Sequence, residues 1–113
     1  MRKDAILKQF DYTVTSSALA QLQKVMDNTN NFDYIEKHLL TLHDQLKSKL
    51  SYVALSSNKD LFKIKNDAAE ESIAKDVDNM ITQWSKKYKI EIEKVPNKET
   101  YYVLGYKNLI EPF

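Results

Sequence analysis

The sequence predicts an α+β fold: one helix-dominated domain with a C-terminal two-stranded β-hairpin. Three observations lead there. The 113 residues include one glycine and two prolines, too little punctuation for many tight turns, which favours long helices. Apolar residues recur every three or four positions over most of the chain, the period of a helix with one buried face. Only residues 89–107, KIEIEKVPNKETYYVLGYK, alternate with a period of two around a polar turn, as paired strands do.

The chain divides into an N-terminal helical segment (1–30), a helical core (31–88), the hairpin (89–107) and a tail (108–113) within a single domain. In the first segment Ile6, Leu7, Phe10 and Val14 share a helical spacing, and Leu19, Leu22 and Met26 follow. Between them lies TVTSS (13–17), whose β-branched and hydroxyl residues disfavour helix interiors and favour caps. Two short helices are therefore expected, the second capped by Thr15 or Ser16.

NTNN (28–31) is a turn whose last asparagine is placed to cap the next helix, with Asp33 and Glu36 near its N-terminus. From Phe32 the apolar positions Ile35, Leu39, Leu42, Leu46, Leu50 and Val53 predict the longest helix, ending near residues 56–58. Its early seam has heptad spacing but breaks at Lys49, so a packed core face fits better than a dimeric coiled coil. Residues 57–66 read two ways: Ser57 to Asp60 as a capping box, LFKIK (61–65) as a short alternating strand.

Asp67 and Glu70 mark the start of the next helix, with acids that complement its dipole. Ile73, Val77, Met80, Ile81, Trp84 and Tyr88 lie in one arc of it. In the hairpin, Ile90 and Ile92 alternate with Glu91 and Glu93, and residues 96–99 supply the turn. A three-residue loop pairs Ile92 with Tyr102 and Ile90 with Leu104. A two- or four-residue loop pairs Ile92 with Val103 instead. The first pairing is favoured because Ile90, Ile92, Tyr102, Leu104 and Tyr106 then form one apolar face; a one-residue slip would exchange the faces. The tail's Leu109, Ile110 and Phe113 are expected to fold back onto the domain. The predicted core is Leu39, Leu42, Leu46, Leu50, Ile73, Val77, Met80, Ile81, Trp84, Ile90 and Ile92.

Composition limits the chemistry. There is no cysteine, which excludes disulfides, thiol catalysis and cysteine zinc sites. The N-terminus lacks the apolar run of a signal peptide, and no window approaches the roughly 20 apolar residues of a membrane span. A cytoplasmic protein without membrane contact is the expectation. His38 and His43 are five residues apart, about 140° around a helix, with no carboxylate at ligand spacing. They read as partly exposed surface residues, and no metal or other cofactor is expected. Asp67, Glu70 and Glu71 are explained by capping and the helix dipole, and Glu71 can pair with Lys75. No glycine-rich phosphate loop and no nucleophile motif is present, so the chain reads as non-enzymatic.

Two partner classes remain. Seventeen basic and sixteen acidic residues argue against a bulk polyelectrolyte mode of nucleic-acid binding. Residues 84–113, however, hold six basic and four acidic groups, placing the positive excess at the hairpin. On the helix before it, Lys75, Asn79, Thr82 and Lys86 lie opposite the apolar arc, flanked by Ser72 and Gln83, and these types bond base edges and phosphates. Lys94, Asn97 and Lys98 fall at the hairpin tip. Glu71 and Asp78 flank the stripe, and no arginine follows Arg2. Helices, an amphipathic helix and a terminal hairpin, over residues 32–107, resemble in order the winged helix-turn-helix domains. That resemblance implies duplex DNA binding by a small accessory or regulatory protein, with the 67–88 helix in the major groove and the hairpin as a wing. The alternative is a protein-interaction or inhibitor-type module. Seven tyrosines and one tryptophan exceed what one small core buries, and both types are enriched at interfaces. Exposed aromatics, the hairpin edge, or a homodimer across the long helix would then make the contact.

Overall fold

In the computed structural model, which describes residues 2–56 and 58–107, the chain is α+β with four helices and four strands. The tail and its expected packing lie outside the described residues. In chain order the elements are α1 (Lys3–Gln9), α2 (Ser16–Asn28), α3 (Phe32–Lys47), β1 (Tyr52–Leu55), β2 (Phe62–Lys65), α4 (Glu71–Tyr88), β3 (Ile90–Lys94) and β4 (Thr100–Tyr106). The strands make one antiparallel sheet in the order β1-β2-β4-β3. The hairpin is therefore the outer half of a four-stranded sheet, since β4 pairs with β2 as well as β3. One face of the sheet supplies Val53, Leu55, Phe62, Ile64, Tyr101 and Val103 to the core. Helix α3 packs on β1 and β4, α4 packs on β3 and on α3, and α2 reaches β1.

The two N-terminal helices and their break are as expected: Thr15 Oγ1 caps α2 by accepting the Ala18 N–H at 3.0 Å. Asn31 is different. Its side chain makes no cap bond; it stands in the left-handed region at φ 53° and turns the chain into α3.

The expected long helix stops at Lys47. There the Ser51 N–H bonds the Leu46 carbonyl and the Leu50 N–H bonds that of Lys47, at 3.1 Å each. Leu50 takes φ 59°. This is a Schellman termination, which usually places glycine at the left-handed position. Leu50 is thereby turned outward and is 65% exposed, not a core residue. Val53 belongs to β1, and LFKIK resolves as β2. The same termination closes α1, with Asp11 at φ 67° and the Tyr12 N–H on the Leu7 carbonyl at 2.9 Å.

Helix α4 begins at Glu71, four residues beyond Asp67, and neither Asp67 nor Glu70 caps it through its side chain. Asn66 holds this end instead, its Nδ2 donating to the Ala74 carbonyl at 2.8 Å and to Asp78 Oδ1 at 3.1 Å. The expected Glu71–Lys75 pair is present at 3.8 Å between exposed side chains.

The hairpin register corrects the favoured one. Ile92 faces Val103 and Ile90 faces Tyr106. A four-residue turn sets this, closed by the Val95 N–H on the Thr100 carbonyl at 2.8 Å. Tyr101 and Val103 therefore point to the core, while Tyr102 and Leu104 lie on the second face. The pairing shifts between Glu91 and Ile92, leaving Leu104 as the extra residue of a bulge. Beside it Gly105 sits at φ 128°, where an added Cβ would lie 2.4 Å from the Asn30 nitrogen. Asn30 bonds the backbone on both sides of Gly105, so the turn before α3 continues the sheet. Of the remaining predicted core, Leu39, Leu42, Leu46, Val77, Ile81, Trp84 and Ile90 are buried. Ile73, Met80 and Ile92 are half-buried against it.

Candidate functional surfaces

His43 is not on the surface. It is 2% exposed, its Nδ1 accepts the Val53 N–H at 3.0 Å, and its Nε2 lies 2.9 Å from Asp11 Oδ2. An Nδ1 that accepts a backbone amide places the proton of the neutral ring on Nε2, which then donates to Asp11. Lys47 Nζ reaches the same carboxylate at 3.2 Å. The hydrogen bond from His43 is the first cause that holds the Asp11 carboxyl below its usual range, opposed by desolvation and aided by Lys47. A groove of about 500 Å³ opens here, with Phe10, Tyr12, Leu50, Tyr52 and Ala54 among its lining. Its polar groups resemble an acid–base set, but their bonds are already made. Both His43 nitrogens are occupied, and the Ser51 hydroxyl bonds the Lys49 carbonyl and the Asp67 N–H. The cluster holds β1 in place: the Val53 and Leu55 amides point away from β2, and His43 and the Tyr12 hydroxyl accept them.

A second surface runs over α3, α4 and the end of β4. Tyr106 and Tyr34 have ring centroids 4.3 Å apart, Tyr34 and His38 5.3 Å, and His38 stacks on Tyr88 at 3.8 Å. Lys87 Nζ stands 5.3 Å from the Tyr88 ring centre. The four rings form one chain over the helix seam, and Tyr34 is 41% exposed. Trp84 lies beside it, its indole N–H donating to the His38 carbonyl at 3.1 Å. Partial burial first, then Lys37 and Lys87, hold the His38 imidazole below the usual histidine range. Lys37 and Lys87 thus put positive charge beside His38 in the middle of the seam.

The residues chosen from sequence fall in two groups. Lys75, Asn79, Thr82, Gln83 and Lys86 are all exposed along the outer side of α4. Thr82 donates its hydroxyl to the Asp78 carbonyl of its own helix at 2.8 Å. At the hairpin tip Lys94 Nζ donates to the Lys98 carbonyl at 2.8 Å, with Glu99 at 3.9 Å. Asn97 turns the chain at φ 62°, and both Asn97 and Lys98 are exposed. Sequence reading missed the Asp11–His43 pair because its members are 32 residues apart. It also missed the ring chain, which joins two helices and a strand.

No helix among the described residues is long and apolar enough to cross a membrane. No family model matches the chain, and no curated protein or solved structure matches it significantly.

Proposed function

We propose that this chain is a non-enzymatic protein-interaction module whose contact surface is the aromatic seam of α3 and α4. The observation that carries the reading is the unbroken ring chain Tyr106–Tyr34–His38–Tyr88, half-open to solvent and ending at Lys87. Tyr88 and Tyr106 also rest against the core, but Tyr34 stands out from it, unlike the stacked and buried Phe32 and Phe62 at 5.5 Å. Tyrosines prearranged on a surface lose little side-chain entropy on binding, and such residues dominate interface energetics. The test is a photo-crosslinking residue at position 34, compared with one at the exposed Lys24 of α2. The proposal expects a discrete protein adduct from position 34 and none from position 24. Equal labelling from both, or none from either, refutes it.

The exposed stripe of α4 favours a second reading, duplex DNA binding by Lys75, Asn79, Thr82, Gln83 and Lys86 with the hairpin tip as a wing. It requires affinity that falls steeply with salt, because phosphate contacts release counterions. Fluorescence anisotropy with mixed-sequence duplex at two salt concentrations checks it. Lys75→Ala and Lys86→Ala should weaken binding, and no binding at low salt removes the reading.

A further inference from the structure

The two edges of the sheet are finished differently. At β1 the outward amides of Val53 and Leu55 are taken by His43 and Tyr12, at 3.0 and 2.8 Å, so these two donors are closed to another strand. At β3 the Val95 N–H points inward to Thr100, which directs the backbone groups of Ile92 and Lys94 away from β4. Among the described residues only the Ile90 carbonyl on that side is bonded, by the Ser85 hydroxyl at 2.5 Å. The groups left open are those an added strand would use.

A groove of about 320 Å³ lies where α4 meets β3. Lys86, Lys89 and Lys107 line it against a single acid, Glu91. None of the three lysines has an ion-pair partner among the described residues. It adjoins the aromatic seam, since Lys89 follows Tyr88 and Lys107 follows Tyr106.

We infer that the free edge of β3 accepts an extended, acidic segment of a partner protein as a fifth strand. This rests on the reading of the chain as an interaction module. Backbone pairing supplies the attachment and alternate side chains the selectivity; the unpaired lysines set the sign of the charge. A second copy of this chain fits poorly. Antiparallel pairing of two β3 strands about Ile92 would set Glu91 of each copy opposite Glu93 of the other, and like charges directly opposed destabilise a sheet. The same rule places the partner segment's acids on the Ile92 and Lys94 face, away from Glu91 and Glu93.

The probe is a short fluorescent peptide alternating glutamate and valine, with a lysine–valine peptide as its counterpart. The acidic peptide should bind at low salt and release in roughly 1 M salt, where screening reaches about 3 Å. The basic one should not bind. Lys86→Glu with Lys107→Glu should weaken binding by roughly tenfold, as losing two exposed charge contacts implies. In the unmodified protein, saturating peptide should slow hydrogen exchange at the Ile92 and Lys94 amides. Equal affinity for both peptides, or unchanged exchange at those amides, overturns the inference. Tyr34→Ala should leave the peptide titration unchanged, so failure of the seam and failure of the edge are separately visible.

Discussion

Replacing Tyr12 by phenylalanine removes one oxygen and leaves the ring's volume almost unaltered. That oxygen accepts the Leu55 amide at 2.8 Å on the outward side of β1, and Leu55 is 6% exposed. A neutral hydrogen bond contributes about 0.5–1.5 kcal/mol net, and an orphaned buried amide costs about 1–3 kcal/mol. Tyr12 is half-buried, so water reaches part of the site, and the expected loss is about 1–2 kcal/mol. Urea unfolding at neutral pH measures it, with Tyr52→Phe as the control. The Tyr52 hydroxyl has no hydrogen-bond partner among the described residues, so that change should stay within about 0.5 kcal/mol, as surface substitutions do. Hydrogen exchange at Leu55 should quicken in Tyr12→Phe only. Equal stability of the two variants, with Leu55 exchange unchanged, would refute the claim that Tyr12 closes this edge.

The Asp11 carboxyl, followed by NMR, should titrate below the usual 3.8. Its contribution to stability is present above that value and lost as pH falls through the lowered folded value; His43→Leu should move the titration back up. Burial first, then Asp78, pushes the Tyr101 hydroxyl up to about 12 from 10. The folded state therefore favours the neutral phenol, and its contribution is intact below pH 10 and lost as pH rises toward 12. This amounts to on the order of 2–3 kcal/mol, so the stability gap between the native chain and Tyr101→Phe should narrow by that much. Gly105→Ala should cost more than about 3 kcal/mol or prevent folding, because the added Cβ meets the Asn30 backbone at 2.4 Å and φ is 128°. Thermal unfolding followed by circular dichroism checks it.

The helical half of the fold is legible because its signals are local. Thr15 caps α2 as its position suggests, and the Val77–Ile81–Trp84 arc is buried at helical spacing. The end of α3 was hidden by an ordinary residue doing what glycine usually does. Leu50 continues the apolar period yet adopts a left-handed φ, and every other described left-handed position except Gly105 is also a non-glycine residue. With that terminator unmarked, Val53 read as helix, β1 disappeared, and LFKIK had no partner to make it a strand. The hairpin register depended on loop length and on the bulge before Gly105, and alternation alone leaves both undetermined. The candidate surfaces were legible as composition but not as places. Surplus tyrosine and the lysine excess of residues 84–113 were visible, whereas the ring chain and the finish of each sheet edge arise from contacts between distant segments.

If the proposed seam serves contact, Tyr34 carries that role, since Tyr88 and Tyr106 also pack against the core. The most direct test compares two losses in one variant, Tyr34→Ala: folding stability, and affinity for the protein captured at position 34. The stability loss should be about 1 kcal/mol, the scale of one surface aromatic pair. The affinity loss should be roughly thirtyfold or more, the scale of an interface hot spot. A stability loss of several kcal/mol with affinity unchanged would contradict it and make the ring chain part of the core.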